Sequence, residues 1–89
     1  MTIEYSNDFW KQFDKLPRKK RIAASKAIDV FTEDLETGTS TPSLRRHALT
    51  GAWVGYFSIS AGGDLRLNYK QDGESIVFVA VGSHSQLYG

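Results

Sequence analysis

The sequence has no cysteine among its 89 residues. That absence excludes a disulfide framework, a thiolate metal site and a thiol nucleophile. Long apolar runs are missing too: none approaches the roughly 18 residues of a membrane-spanning helix, and the start, MTIEYSND, lacks the charged and apolar segments of a secretory leader. We therefore expect one soluble domain over residues 1–89, located in the cytoplasm and making no contact with a membrane.

The motifs that hold nucleotide phosphates are also absent. The chain has no G-x-x-x-x-G-K and no G-x-G-x-x-G segment, and it has no G-x-S-x-G nucleophile turn. Its two histidines, His47 and His84, have no closely spaced histidine or carboxylate ligand partner. The sequence therefore predicts no metal and no cofactor. A Ser-His-Asp arrangement stays open, since its members need not be neighbours in sequence.

Charge is sorted into blocks along the chain. Residues 11–26 carry seven lysines and arginines against Asp14 alone, a local charge of +6, and residues 29–36 carry four acids and no base, a local charge of −4. On a helix that starts near Arg18, this order places each block at the unfavourable end of the dipole, at a cost of roughly 0.3–1 kcal/mol per exposed charge. We interpret the basic block as a surface for a phosphate-bearing partner, with a solvated, salt-screened helix face as the alternative.

The first half of the chain predicts a strand followed by two helices. Residues 2–5 alternate in polarity, and Ser6 is placed to cap the first helix. Pro17 suits the first turn of the second helix, which is predicted to run to about Glu36 and to end at Gly38. We expect the two helices to form a hairpin. Their apolar residues at helical spacing are Phe9, Phe13 and Leu16 in the first and Ala24, Ala27, Ile28, Phe31 and Leu35 in the second.

The second half predicts a loop and three strands. Residues 39–52 are rich in turn formers, and the strands are predicted at 53–60, 64–70 and 75–81, with Asp72-Gly73 marking a hairpin between the last two. Trp53, Phe57 and Ile59 are expected on one strand face, and the last strand is apolar on both faces, as in a central strand. The order β-α-α-β-β-β predicts an α+β domain, in which a helical hairpin packs on a four-stranded, mainly antiparallel, twisted sheet.

One chemistry needs only the residue types that are present. RNA carries its own nucleophile, the 2′-hydroxyl, so an enzyme has to remove that proton, protonate the leaving 5′-oxygen and neutralise the charge that grows on the phosphate. Histidine can perform either proton transfer near neutral pH, and the planar fork of arginine fits phosphate oxygens. The residues available for such a set are His47, Asp64 and His84 with Arg45, Arg46 or Arg66.

Three segments, LRRHALTGAWVGYFSIS, DLRLNYK and VAVGSHSQLYG, resemble the RelE/ParE toxin superfamily and, within it, the YafQ-type branch. They match the branch's H-x-L-x-G-x-W-x-G-Y pattern, its strand-opening Asp before an apolar-x-Y-K, and its terminal G-[ST]-H-x-x-L-[FY]-G. The resemblance extends over essentially the whole chain. It implies the RelE-like fold, which is similar to that of microbial RNases.

The resemblance also implies a function. Members of this branch are mRNA interferases, ribosome-dependent endoribonucleases that cleave translated mRNA by metal-independent acid–base catalysis and are neutralised by a cognate antitoxin. The implied partners are the antitoxin, the 70S ribosome, mRNA and, through the antitoxin complex, operator DNA. Two alternatives stay open: a ParE-like toxin that inhibits a topoisomerase without cleaving RNA, and a degenerate toxin that acts only as an antitoxin-binding module.

Roles are carried over by motif position. His84 would be the principal catalytic residue and act as the general acid. His47 would be a second acid–base or phosphate-contacting group, and Asp64 a base or a partner that orients a histidine. The plain alternatives are a solvent-exposed tail histidine, an ordinary loop residue and a turn acid. The residues expected to contact RNA or its phosphates are Arg45, Arg46, Arg66, Tyr88, Lys19 and Lys20, with packing of the tail as the alternative for Tyr88.

The chain departs from its relatives at two positions. Some relatives have another histidine where this sequence has Ser60, and many have an arginine where it has Ala80. The first departure removes one possible base and gives more weight to His47 and Asp64. The second leaves stabilisation of the transition-state charge to Arg46 or Arg66. Trp53 and Tyr56 are expected to pack on the sheet in preference to serving as platforms for bases.

Overall fold

The computed structural model describes residues 1–89, the whole chain. Helices and strands account for most of it, joined by short turns. The helices are α1 (Asn7–Asp14), α2 (Arg18–Thr37) and α3 (His84–Tyr88), and the strands are β1 (Thr2–Tyr5), β2 (His47–Ala48), β3 (Phe57–Ser60), β4 (Leu65–Asp72) and β5 (Ser75–Ser83). Two single 3-10 turns, Pro42–Leu44 and Gly51–Trp53, flank β2. No helix is long and apolar enough to cross a bilayer.

The helical hairpin has the predicted boundaries and caps. The Ser6 hydroxyl accepts a hydrogen bond from the Phe9 N–H at 3.1 Å and so begins α1. Gly38 ends α2 in the left-handed conformation, with φ at 71°, and its N–H bonds to the Asp34 carbonyl. The predicted apolar stripes face the sheet, where the buried core is formed by Phe9, Leu16, Ala24, Ala27, Phe31, Leu44, Ile59, Leu65, Leu67, Tyr69, Ile76, Phe78 and Val81.

The sheet has the strand order β1-β5-β4-β3-β2. Only β1, which pairs with β5, is parallel to its neighbour, and all other pairs are antiparallel. β5 lies between β1 and β4, which confirms the prediction of a central strand from its apolar faces. The α+β class and the helical hairpin are therefore as predicted.

A bulge in β5 changes which residues face the core. Asn68 is opposite Ala80 and Tyr69 is opposite Phe78, so Val79 has no partner on β4. Because of that extra residue, Phe78 and Val81 both belong to the buried core, while Ala80 lies on the other face of the sheet together with Asn68.

Two expectations about the second half need correction, and one element was not predicted. The sheet has five strands instead of four, because His47–Ala48 in the predicted loop forms a short edge strand against β3. The strand predicted at 53–60 begins only at Phe57, since Trp53 belongs to a 3-10 turn and does not share a strand face with Ile59. The tail after β5 is a five-residue helix, α3.

Candidate functional site

The face of the sheet turned away from the helical hairpin carries small and polar side chains in register. One row runs across four strands through His47, Ser58, Asn68 and Ala80. The 3-10 turn that ends at Trp53 and helix α3 border this face and leave a cleft between them. Its lining consists of His47, Leu49, Thr50, Trp53, Ser58, Arg66, His84 and Tyr88.

The cleft has a volume of about 210 Å³. That is smaller than the roughly 300–1,000 Å³ of pockets that enclose a small molecule. A cleft of this size does not enclose a whole ligand of that kind. Its lining contains one permanent cation, Arg66, two imidazoles and no carboxylate, and an anionic group is therefore electrostatically favoured there.

His47 is held in one tautomer by its own turn. Arg45 adopts the left-handed conformation, with φ at 48°, and its carbonyl oxygen lies 2.7 Å from Nδ1 of His47. A carbonyl oxygen only accepts hydrogen bonds, so Nδ1 carries a proton. In the neutral imidazole Nε2 then has the free lone pair, which is the arrangement that a general base requires.

His84 is the first residue of α3, and its backbone is fixed more firmly than its ring. Ser83 and Gln86 form a capping box at the start of this helix. The Asp64 carboxylate accepts a long hydrogen bond, 3.4 Å, from the backbone N–H of His84. The imidazole packs edge-on against the Tyr88 ring, with centroids 4.9 Å apart, and its nitrogens make no hydrogen bond within the protein. The ring is exposed and free to contact a ligand.

Gly82 allows α3 to pack close to the sheet. A Cβ at this position would lie 2.9 Å from Oε1 of Gln86 and 3.5 Å from a methyl group of Leu87. The same helix is held from the other side by Trp53, whose indole N–H donates to the Leu87 carbonyl at 3.2 Å. These contacts place His84 at the rim of the cleft.

Arg66 presents its guanidinium along the polar face of β4. Nη1 donates to the Ser60 hydroxyl at 3.2 Å, the Gly63 carbonyl at 2.9 Å and the Leu65 carbonyl at 3.1 Å. The remaining N–H groups of the fork make no hydrogen bond within the protein and are available to phosphate oxygens. The hydroxyl of Ser60 therefore helps to orient the Arg66 guanidinium.

Tyr88 reaches from α3 to the centre of the sheet. Its hydroxyl donates a 2.7 Å hydrogen bond to Oδ1 of Asn68, and its ring meets the Trp53 ring edge-on at 6.1 Å. Tyr88 thus lines the cleft and packs the tail onto the sheet at the same time.

Two buried polar atoms beneath the cleft have no hydrogen-bond partner. They are Oγ of Ser58 and Nδ2 of Asn68, on cross-strand neighbours that are 1% and 0% exposed. A buried polar group without a partner lowers the stability of the fold by about 1–3 kcal/mol. Stability of the fold alone therefore does not account for this pair. Sequence reasoning missed both residues, because Asn68 alternates with Leu67 and Tyr69 as a solvent-facing strand residue would.

The remaining predicted site residues lie outside the cleft. Asp64 lines a neighbouring depression together with Lys19 and Lys20 from the first turn of α2. Arg45 contributes its carbonyl to His47, as described above. Arg46 lies over the ring of Phe31, on the helix side of the sheet, with its guanidinium carbon 5.9 Å from the ring centroid.

The charge of Arg46 affects the pKa values of two neighbouring groups, Asp34 and Tyr69. Asp34, at the end of α2, accepts hydrogen bonds from the Thr41 N–H at 2.7 Å, the Thr41 hydroxyl at 2.8 Å and the Thr39 hydroxyl at 2.9 Å. These bonds, led by that of the Thr41 backbone and assisted by the charge of Arg46, lower the pKa of Asp34 although burial opposes them. Burial raises the pKa of the Tyr69 phenol, and the charge of Arg46 opposes that rise.

The comparison with protein families decides the identity. The family described as a bacterial toxin of type II toxin-antitoxin systems, YafQ, matches residues 1–89. The chain belongs to the YafQ family. It is therefore a toxin of a type II toxin-antitoxin system, which confirms the resemblance in its motifs.

Solved structures of YafQ-family and related toxins have the same fold. YafQ from Escherichia coli BL21(DE3) is 26% identical, with a TM-score of 0.75 over 98% of this chain and 97% of that one. The E. coli DinJ-YafQ toxin-antitoxin complex matches with 27% identity and a TM-score of 0.74 over 98% and 96% of the two chains. A YoeB/ParE toxin from Agrobacterium tumefaciens, 17% identical, shares the fold alone, with a TM-score of 0.70 over 94% and 99%. A search of curated protein sequences found no significant match.

Proposed function

We propose that this YafQ-family toxin is a ribosome-dependent endoribonuclease, which cleaves translated mRNA in the cytoplasm and is neutralised by a cognate antitoxin. The observation that carries the proposal is the cleft in which His47, His84 and Arg66 converge. One imidazole has a free basic nitrogen, the other stands at the rim with both nitrogens free, and the guanidinium of Arg66 lines the same cleft.

The reaction is an internal transesterification. Nε2 of His47 takes the proton of the 2′-hydroxyl, whose oxygen attacks the adjacent phosphorus. The P–O5′ bond breaks as the protonated His84 gives its proton to the leaving 5′-oxygen, and Arg66 neutralises the charge on the non-bridging oxygens. The products are a 2′,3′-cyclic phosphate and a 5′-hydroxyl, and the two histidines exchange protonation states.

The tautomer of His47 supports this division of roles. Its Nδ1 is committed to the Arg45 carbonyl, so the imidazole is oriented with a lone pair at Nε2. His84 has no such acceptor and can approach a leaving group with its protonated form. Asp64 contributes by holding the backbone at the start of α3, because its carboxylate bonds the His84 N–H and lies outside the cleft.

Charge and the relatives support the proposed partners. Lys19 and Lys20 are exposed in a depression beside the cleft, where ribosomal or messenger RNA phosphates would meet them. E. coli YafQ forms a complex with DinJ, and we propose that a protein of that kind neutralises this chain and joins it in binding operator DNA.

The decisive variant is His84→Gln, which removes the proton donor and keeps a hydrogen-bonding side chain of similar size. Single-turnover cleavage on a programmed ribosome should fall by about 10²–10⁴, the usual worth of one positioned acid or base. His47→Gln should also lose activity, while Glu4→Gln, exposed on the far edge strand, serves as the matched control and should cleave like the wild type.

Two results would contradict the proposal. Near-normal cleavage by His84→Gln, with an unchanged melting curve, would show that His84 is not the general acid. Growth arrest by the wild type with intact messages and altered DNA supercoiling would replace the nuclease with a topoisomerase inhibitor.

A further inference from the structure

Asn68 is an unusual residue for its place in the sheet. It lies in the middle of β4 with no exposed surface, on the face that carries the cleft. Its neighbours Leu67 and Tyr69 point into the apolar core, and its cross-strand partners are Ser58 and Ala80. A packing role alone would be served by an apolar side chain, which would leave no amide N–H unpartnered.

The single hydrogen bond of the Asn68 side chain connects it, through Tyr88, to His84, the proposed general acid. Oδ1 accepts the Tyr88 hydroxyl at 2.7 Å, and the Tyr88 ring supports the His84 imidazole at 4.9 Å. Both rings belong to α3, a helix of five residues. Isolated helices of that length do not hold their shape in water, so tertiary contacts set the direction of the His84 ring.

We infer that Asn68 is a positioning residue for catalysis: through the Tyr88 hydroxyl it fixes the ring against which His84 is aimed into the cleft. This inference rests on the proposed function, and it adds a buried residue of β4 to the residues that line the cleft. Tyr88 in this chain is then an oriented support for the acid, and its hydroxyl, which a phenylalanine would lack, is the attachment point.

The pair can be tested as a unit. Asn68→Leu leaves the Tyr88 hydroxyl without its acceptor, and Tyr88→Phe leaves the Asn68 amide with no partner at all. The double variant removes both halves of the hydrogen bond and leaves neither group orphaned. Because one hydrogen bond is at stake, each single change should slow single-turnover cleavage about tenfold, and the double variant should also be slower by about tenfold, not by the product of about a hundredfold.

A second measurement reads the His84 ring directly and needs no activity. In the free protein, the Tyr88 ring current should shift the NMR signals of the His84 ring protons, because the two ring centroids lie 4.9 Å apart. Asn68→Leu should move these signals toward the values of an unstructured histidine, while the signals of His47 stay in place. Ile59→Val, a fully buried change on the core face of the neighbouring strand, is the matched control, since it loosens the fold without touching the cleft.

The outcomes separate the two proposals. A wild type that does not cleave mRNA on the ribosome would refute the nuclease function, and the NMR shifts would still decide whether Asn68 positions His84. Unchanged His84 signals in Asn68→Leu, or losses that multiply in the double variant, would overturn the inference. If Asn68→Leu fails to fold, Tyr88→Phe, which changes no sheet residue, carries the test, and wild-type cleavage with wild-type His84 shifts would refute it.

Discussion

The two faces of the sheet differ in whether their buried polar atoms have hydrogen-bond partners. On the helix side, Phe31, Ile59 and Phe78 are fully buried in an apolar core, and the buried carboxylate of Asp34 has three hydrogen-bond donors. On the cleft side, Ser58 and Asn68 are equally buried, yet each has a polar atom without a partner. The helix side is therefore packed for stability, whereas the cleft side keeps buried polar atoms at a cost to stability.

Neighbouring residues on a single strand belong to these different faces. Ile59 and Ser58 are adjacent on β3, and both are almost completely buried, at 0% and 1% exposure. Burial alone therefore does not tell which residue contributes to stability. Hydrogen bonding and the chemistry of the side chain show which residue does so. Substitutions of Ser58 and Ile59 can therefore test the difference between the two faces.

The largest expected effect is on the core side. Ile59→Ala should lower the free energy of unfolding by about 2–5 kcal/mol, because it leaves a cavity in the core. Ser58→Ala should change it by no more than about 1 kcal/mol and raise it if anything, since it removes an unpartnered hydroxyl. Urea denaturation of both variants measures the two values. Equal losses at the two positions would show that the cleft face is as important to stability as the core.

Asp34 is the buried polar group that does have hydrogen-bond partners, and its contribution can be tested through the pH dependence of stability. Its pKa in the folded protein lies below the unfolded value of about 3.9, so the carboxylate contributes stability that is fully present above that value. That contribution is lost as the pH falls through the lower, folded pKa. Asp34→Asn should therefore lower Tm at pH 7, and the difference from the wild type should shrink below about pH 4.

Thermal melts between pH 2 and pH 7 would check this dependence. The matched variant is Asp29→Asn, an exposed acid on the same helix, which should leave Tm nearly unchanged. A difference between Asp34→Asn and the wild type that stays constant with pH would mean that the hydrogen bonds from Thr39 and Thr41 do not depend on the charge.

The smallest effect on stability is expected at the start of α2. Lys19→Gln with Lys20→Gln removes two exposed charges from the positive end of the helix dipole, so Tm should stay equal or rise slightly. Affinity for the ribosome should fall, and its logarithm should depend less steeply on the logarithm of salt concentration. A lower Tm with unchanged affinity would assign these lysines to the fold and not to a partner.

Local signals were sufficient for the two helices of the hairpin. Ser6, Pro17 and Gly38 mark helix ends through bonds and dihedral angles that belong to one or two turns of chain, and the structure has the caps of Ser6 and Gly38 as predicted. The central position of β5 also followed from sequence, since a strand with apolar residues on both faces needs cover on both. The candidate site residues His47 and His84 were predicted in the same way, from short patterns around each of them.

The parts that were predicted wrongly or not predicted depend on partners far away in sequence. His47–Ala48 is a strand only because β3 lies beside it, and the bulge at Val79 is defined by the pairing of β5 with β4 on both sides of it. Helix α3 is five residues long and depends on packing against Gly82 and on the indole of Trp53. No local pattern contains these conditions.

By itself, the sequence determined the order of the major elements, the family and the residues able to transfer protons, because caps, periodicity and motifs are properties of neighbouring residues. Only the tertiary structure decided which of the predicted residues share the cleft. It brought His47, Arg66, His84 and Tyr88 together and left Arg46 over Phe31. The physical reason is that strand pairing and the β5 bulge assign each side chain to a face, and one step of register exchanges the faces.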